Sequence, residues 1–239
     1  MVYISFLMDD DVYHHQRLER MVPYLMADSS IKLVTSHRQG IDGNSNLLPM
    51  GDVTIKIIQQ DAVFDKVTMA KMIFANCFNL VNFNFIGEPT TAMFRKKDLI
   101  EPFGTFAGRR YGSNVDLAAW FVLMNQGMGF YIADTLSFFR IHQGQQIHSF
   151  DLNIKNVTYH AHSLVVLPQF DFIDPLSIEY QLGIMRFHCQ LVSQIFSCQA
   201  ELWERHRGGM SATIDELREY AVKLMDHQKR YIDTQFNLL

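Results

Sequence analysis

Three carboxylates stand side by side at Asp9, Asp10 and Asp11, after the β-prone run Met1–Ser5 and the apolar Phe6-Leu7-Met8. A buried strand cannot hold three acids in its middle, because each must be desolvated. They are therefore expected at the strand's C-terminal end, where open α/β sheets bind ligands. Clustered hard oxygens repel one another unless a cation lies between them. Mg²⁺ or Mn²⁺, bringing phosphate oxygens, is the natural guest. The alternative is that the acids cap the next helix, whose dipole favours negative charge at its start.

Two further places could carry chemistry. Asp116 opens a helical pattern after Ser113-Asn114. It either complements the dipole or acts as a general base towards an acceptor hydroxyl. Arg140-Ile141-His142 ends a strand, and alternation puts Arg140 and His142 on one face. There the cation could hold a diphosphate and a neutral imidazole could bind a metal; the alternative is an edge strand with solvated polar residues. Adjacent His14 and His15 point apart, and with His37, His160, His162, His188, His206 and His227 they read as solvated. GxGxxG, GxxxxGK[ST] and GxSxG are all absent, so dinucleotide, P-loop and α/β-hydrolase readings have no support.

The elements that must position these residues follow from hydrophobic spacing. The strand at the start is expected to be central to a sheet. His15–Met26 reads as a helix that Pro23 should kink or end. Ile31–Ser36 and Val53–Ile58 read as strands, with a turn at Gly40–Asn46. Lys66–Asn79 reads as a helix, and Phe85–Phe94 as a rigid loop around Gly87 and Pro89 leading into a strand at Thr91–Arg95. Val115–Gln126 is an amphipathic helix closed by Gly127 at its C′ position. Phe130–Ile132 and Leu136–Ile141 are strands, and His142–Ser149 is a polar loop. After Phe150 the chain turns helical. Asp174-Pro175 signals a helix start, reaching to about Arg205. Gly208-Gly209 is a turn, and Thr213–Glu216 is a capping box opening the last helix. The two helices make an αα-hairpin. Two regions result, 1–150 and 151–239.

The 239 residues suffice for one large domain, or a domain with a helical appendage. A net charge of −4 argues against non-specific nucleic-acid binding. Cys77, Cys189 and Cys198 form no CxxC, which points to reduced thiols and a cytoplasmic setting, with attachment to the inner face of a membrane left open. No apolar run approaches the ~20 residues of a membrane span, and Met1–Met8 is too short for a signal peptide.

In order along the chain stand Phe6–Asp11, Arg17-Leu18-Glu19, Leu33–Ser36, Ile41-Asp42-Gly43, Ile86–Thr90, Met93-Phe94-Arg95, Phe103-Gly104, Val115-Asp116 with Trp120, and Phe139–His142. Over roughly Val2–Ser149 this series resembles family 2 glycosyltransferases of the GT-A fold, above all bacterial members with the string Ile86-Gly-Glu-Pro-Thr90 followed by Phe94–Leu99. The resemblance implies a partial GT-A α/β mixed sheet with flanking helices, followed by the helical hairpin. It implies a DXD-like motif in which Asp10 and Asp11, with His142, bind Mn²⁺ or Mg²⁺ on a nucleotide-diphosphate sugar. Asp116 falls on the catalytic base. Asp9, Gly87, Glu88, Pro89 and Arg140 fall on substrate-binding positions, with the Ile86–Thr90 loop on the acceptor side. The acceptor would be a saccharide, a lipid-linked molecule or a protein.

Family members carry two or more βα units before this strand, so an N-terminally incomplete domain, an oligomer or a completing chain is expected. A second reading is a catalytically inactive GT-A-like scaffold that docks partners through its helical tail. The retention of Asp10, Asp116 and His142 together favours the enzyme. A metal-dependent phosphatase or nuclease would need more Asp, Asn or His ligands at tight spacing.

Overall fold

The computed structural model describes residues 2–49, 56, 58–74, 85–142, 150–197 and 211–237. They fall into two compact units. The first comprises Met1–Ile73, Val81–Tyr111 and Val115–Gln145, and the second Phe74–Leu80, Gly112–Asn114 and Gln146–Leu239. The expected strand Val53–Ile58, the Gly208-Gly209 turn and most of the His142–Ser149 loop lie outside the described residues.

The first unit is an α/β fold on a mixed sheet, as the sequence implied. In chain order it has β1 (Tyr3–Ser5), β2 (Val12–Tyr13), α1 (Arg17–Ala27), β3 (Ile31–Ile41), β4 (Ala62–Phe64), α2 (Lys66–Phe74), β5 (Met93–Arg95), β6 (Thr105–Phe106), β7 (Arg109–Arg110), α3 (Val115–Met124) and β8 (Met128–Arg140). Among the described strands the sheet order is β1-β5-β3-β8-β2, with β4 also on β8, and β6 pairs with β7 in a separate two-stranded sheet. Strands β3 and β8 run parallel, and the other described pairs are antiparallel. The buried run Leu33-Val34-Thr35-Ser36 gives β3 the continuous burial of a central strand. Strand β8 joins what the sequence suggested as two strands. Its first residues pair with β4 and its last with β2.

Strand β1 departs from expectation. It is three half-buried residues that pair with β5 alone among the described strands, at the edge of the sheet. The central position belongs to β3. Helix α1 runs through Pro23, which is exposed. Helix α3 is not amphipathic: every residue from Ala118 to Met124 is buried. Gly127 is not a left-handed cap either. It is small because a Cβ there would collide with the Ser30 carbonyl and the Lys32 side chain.

Two buried guanidiniums tie these elements together. Arg95, 2% exposed, donates from Nε and Nη2 to Leu25 O, from Nη2 to Asp28 O, and from Nη1 to Ile31 O and the Asp98 carboxylate. It thereby pairs the last carbonyls of α1, which have no partner within the helix. Arg17, 1% exposed, donates to Thr91 O, Ala92 O and Ser5 Oγ. It lies 4.5 Å from the centre of the Tyr13 ring. Burial lowers its pKa to about 10.

The second unit is helical. It contains α4 (Phe150–Val166), α5 (Ile178–Ser197) and α6 (Ser211–Phe236). Among the described helices α4 packs against both α5 and α6, which also touch each other, so the expected pair of helices is joined by a third. Ile154, Val157, Ala161 and Leu164 of α4 meet a core that includes Tyr180, Ile184 and Phe187 of α5 and Leu217 and Leu224 of α6. Tyr180 donates its hydroxyl to Leu164 O at 2.8 Å. Ser177, not Asp174, caps α5 by accepting from Tyr180 N. Thr213 already lies inside α6, so the Thr213–Glu216 box does not open it.

Arg95 offers a test of this packing. Arg95→Met leaves the Asp98 carboxylate buried with Lys32 Nζ 3.7 Å away. The variant should lose about 3–5 kcal/mol in urea denaturation followed by circular dichroism. Arg95→Lys should recover only part, because an ammonium cannot fork to four carbonyl and carboxylate groups.

Candidate functional site

The three acids do not sit at a strand end. Strand β1 stops at Ser5, and Asp9 and Asp10 lie in a turn between β1 and β2. The turn closes through Asp11 N to Met8 O at 3.2 Å. Met8 N donates to Thr90 Oγ1 at 3.1 Å, and the Tyr13 hydroxyl donates to Phe6 O. Strand β2 pairs Val12 with Phe138 and Tyr13 with Ser137. Continuing that antiparallel register sets Asp10 opposite Arg140, which brings the turn to the end of β8.

Here the expected residues meet. His142 Nε2 is 2.8 Å from Asp10 Oδ2, both side chains being half-exposed. Asp11 is 8% exposed and accepts from Arg140 N at 3.2 Å. Burial raises its pKa, the Thr90 and Arg140 hydrogen bonds oppose this, and Glu88 and Asp10 add to it. Asp9 is exposed. The Arg140 guanidinium faces the protein: Nε donates to Asp10 O at 2.7 Å, Nη1 to Asp42 O at 2.7 Å and Nη2 to Ser45 Oγ at 3.0 Å. It thus fastens the acidic turn to the turn after β3.

The loop Ile86–Thr90 forms the next wall. Gly87 has φ +86°, and a Cβ there would strike Thr91 Oγ1 and Arg38 Nη1. Glycine is required by conformation and by space. Trp120 Nε1 donates to Gly87 O at 3.2 Å, and the Thr35 hydroxyl donates to Ile86 O. Thr91 N donates to Glu88 O at 2.8 Å. Pro89 is half-buried beside Glu88, whose carboxylate lies 3.1 Å from Arg38 Nε.

Asp116 occupies the first turn of α3. Burial pushes its carboxyl up to about 6, and the nearby Glu88 charge adds to the rise. Backbone N–H groups of the helix start and Arg38 pull the other way. Glu88 is thus an electrostatic neighbour of both Asp11 and Asp116.

Asp10, Asp11, Arg140 and His142 are brought together by direct contacts, and Glu88 links them electrostatically to Asp116. The sequence reading missed Arg38, and it placed Thr90 only as part of the Ile86–Thr90 loop, not as a partner of the acidic turn. Arg38 follows the point where the strand was expected to stop, inside the polar stretch Ser36–Gly40 that β3 carries on through. His37, expected in solvent, is 6% exposed, and burial lowers its pKa to about 4. His162 is buried too, and burial lowers the pKa of His160, His188 and His227. The rings of His14 and His15 meet, with centroids 4.3 Å apart, rather than pointing away from each other.

Among the described residues no three His, Cys, Asp or Glu side chains converge closely enough to hold a metal by themselves. The donor set that does meet, a carboxylate and an imidazole with a second carboxylate behind, suits Mn²⁺ or Mg²⁺ when the ligand supplies further oxygens. No described helix is long and apolar enough to cross a membrane.

Asp116 carries a stability cost that can be measured. Its folded pKa lies above the ordinary 3.8, so its contribution to stability is present below about pH 4 and is lost as pH rises through about 6. Asp116→Asn should therefore be more stable than the parent by about 1–3 kcal/mol at pH 7.5. The gain should vanish below pH 4, as read from denaturation at both pH values.

Compared with known proteins, the chain is matched by no family model and by no curated protein.

Proposed function

We propose that this protein is a metal-dependent, inverting glycosyltransferase of the family 2, GT-A type. It would move a sugar from a nucleotide-diphosphate sugar to an acceptor hydroxyl. The observation that carries the reading is the contact of Asp10 with His142, 132 residues apart in the chain and 2.8 Å apart in space. The mixed sheet, the acidic turn and the acid at the start of α3 supply the other parts that the resemblance requires.

Asp10 and His142 would hold the Mn²⁺ or Mg²⁺, with Asp11 behind them. When bound, the cation neutralises charge on the departing nucleotide diphosphate. Asp116 takes the acceptor's hydroxyl proton as that oxygen bonds to the anomeric carbon, and the electron pair of the breaking bond leaves with the diphosphate. A carboxyl with a pKa of about 6 is mostly ionised at neutral pH, yet more basic than an ordinary aspartate. The Ile86–Thr90 loop, with Gly87, Glu88 and Pro89, lines the acceptor side. Asp9 stands at the exposed rim of the donor side, and Arg140 keeps the turn in place.

A docking module is the second reading, and one observation favours it. Ile178, Met185 and Val192 of α5 are exposed at seven-residue spacing, as are Met225 and Ile232 of α6.

Calorimetric titration with UDP and GDP, with and without Mn²⁺, decides between them. Metal-dependent binding that disappears in Asp10→Ala is expected. Binding that persists unchanged in Asp10→Ala would place the diphosphate elsewhere, and no binding of either nucleotide would favour the docking module. With a donor identified, Asp116→Asn should lower turnover by about 10²–10⁴-fold.

A further inference from the structure

Strand β3 loses regular register with β8 between Ser36 and His37, and again between His37 and Arg38. Such irregularities re-aim side chains and gather beside functional sites. Here they fall where β3 passes the Ile86–Thr90 loop. Before them, the Thr35 hydroxyl bonds Ile86 O; after them, Arg38 reaches the Glu88 carboxylate at 3.1 Å. The Arg38 side chain is 14% exposed and that of Glu88 29%, so the pair is largely withdrawn from water. Arg38 Nη1 also occupies the space that a side chain on Gly87 would need. On the other side, Trp120 holds Gly87 O from the same helix that carries Asp116.

We infer that Arg38 is a positioning residue of the proposed transferase site, whose guanidinium fixes the Glu88 carboxylate and with it the Ile86–Thr90 loop. The inference rests on the transferase reading for its catalytic meaning, but the geometry is independent of it. Among the described residues, the charged and titratable groups that bear on this spot include Asp10 and Asp11 from the turn, Glu88 from the loop, Asp116 from α3, Arg38 and His37 from β3 and Tyr131 from β8. Lys56 acts on the neighbouring His37. Glu88 raises the Asp116 carboxyl and Arg38, to a smaller extent, lowers it.

The test compares Arg38→Gln, Arg38→Lys, Glu88→Gln and the Arg38→Gln/Glu88→Gln double variant by ¹³C carboxyl NMR titration of Asp116, and by the pH profile of turnover once a donor is known. Arg38→Gln should move the Asp116 titration up, Glu88→Gln should move it down by a larger amount, and the double variant should fall between the two single variants. Arg38→Lys should stay close to the parent. In turnover, Arg38→Gln should lower kcat about 10–100-fold near pH 6.5 with the nucleotide-sugar KM within about twofold. The acid limb should move up with the NMR titration.

An Asp116 titration that does not respond to Arg38→Gln overturns the inference. If that variant does not fold, a Glu88→Gln titration that fails to move down does the same. Titrations that behave as expected in a protein that turns over no nucleotide sugar would keep the positioning role and discard the transferase.

Discussion

The last carbonyls of a helix have no partner within it, and the guanidinium of Arg95 supplies donors at the end of α1. It binds Leu25 and Asp28 at the end of the helix, Ile31 at the start of β3 and Asp98 after β5. The angle at which α1 hands over to β3 is therefore set by a residue nearly seventy positions further on. Arg17 does the reverse, reaching from the start of α1 to Thr91 and Ala92. Between them the two cations clamp the segment that runs from the Ile86–Thr90 loop into β5. Hydrogen bonds from Nε and both Nη atoms of Arg95, and from both Nη atoms of Arg17, offset much of the cost of burying two charges in so small a core.

That clamp explains how an edge strand can support a site. Strand β1 has only three residues and one described neighbour, too little to fix the turn that follows. The turn is instead held from outside by Thr90 on the clamped loop and by Arg140 at the end of β8. The acids can then crowd together because their backbone is fastened to the sheet. Asp11 faces inward on hydrogen bonds, while Asp10 keeps its carboxylate towards His142 and solvent.

The sequence was legible where chemistry imposes it. Acids in a row, an acid at the start of a helix and a cation–imidazole pair at a strand end are readable because few other arrangements tolerate them. Asp10, Asp11, Arg140 and His142 do come together, and Asp116 lies within electrostatic reach of their neighbour Glu88. The placement of β1 was not readable, since a short apolar run has the same composition in a central or an edge strand. Arg38 and His37 were hidden for a related reason. Polar residues end a strand in the pattern, but in the fold β3 continues through them because its backbone pairs with β8 and Glu88 of the loop pairs with Arg38. The three-helix packing of the second unit was missed because spacing shows which face of a helix is apolar, not which helix covers it.

The contacts that assemble the acidic turn are long in sequence. Met8 to Thr90 spans 82 positions and Asp10 to His142 spans 132. Closing loops of that size costs entropy before any contact repays it, so such pairings form late in folding. During synthesis, the acids leave the ribosome long before Arg140 and His142 exist to restrain them. The turn thus remains unformed until β8 has been made and has taken its place in the sheet. A nascent chain therefore has no ordered turn at its acids, and the contact of Asp10 with His142 appears only with the finished sheet, as a late product of folding.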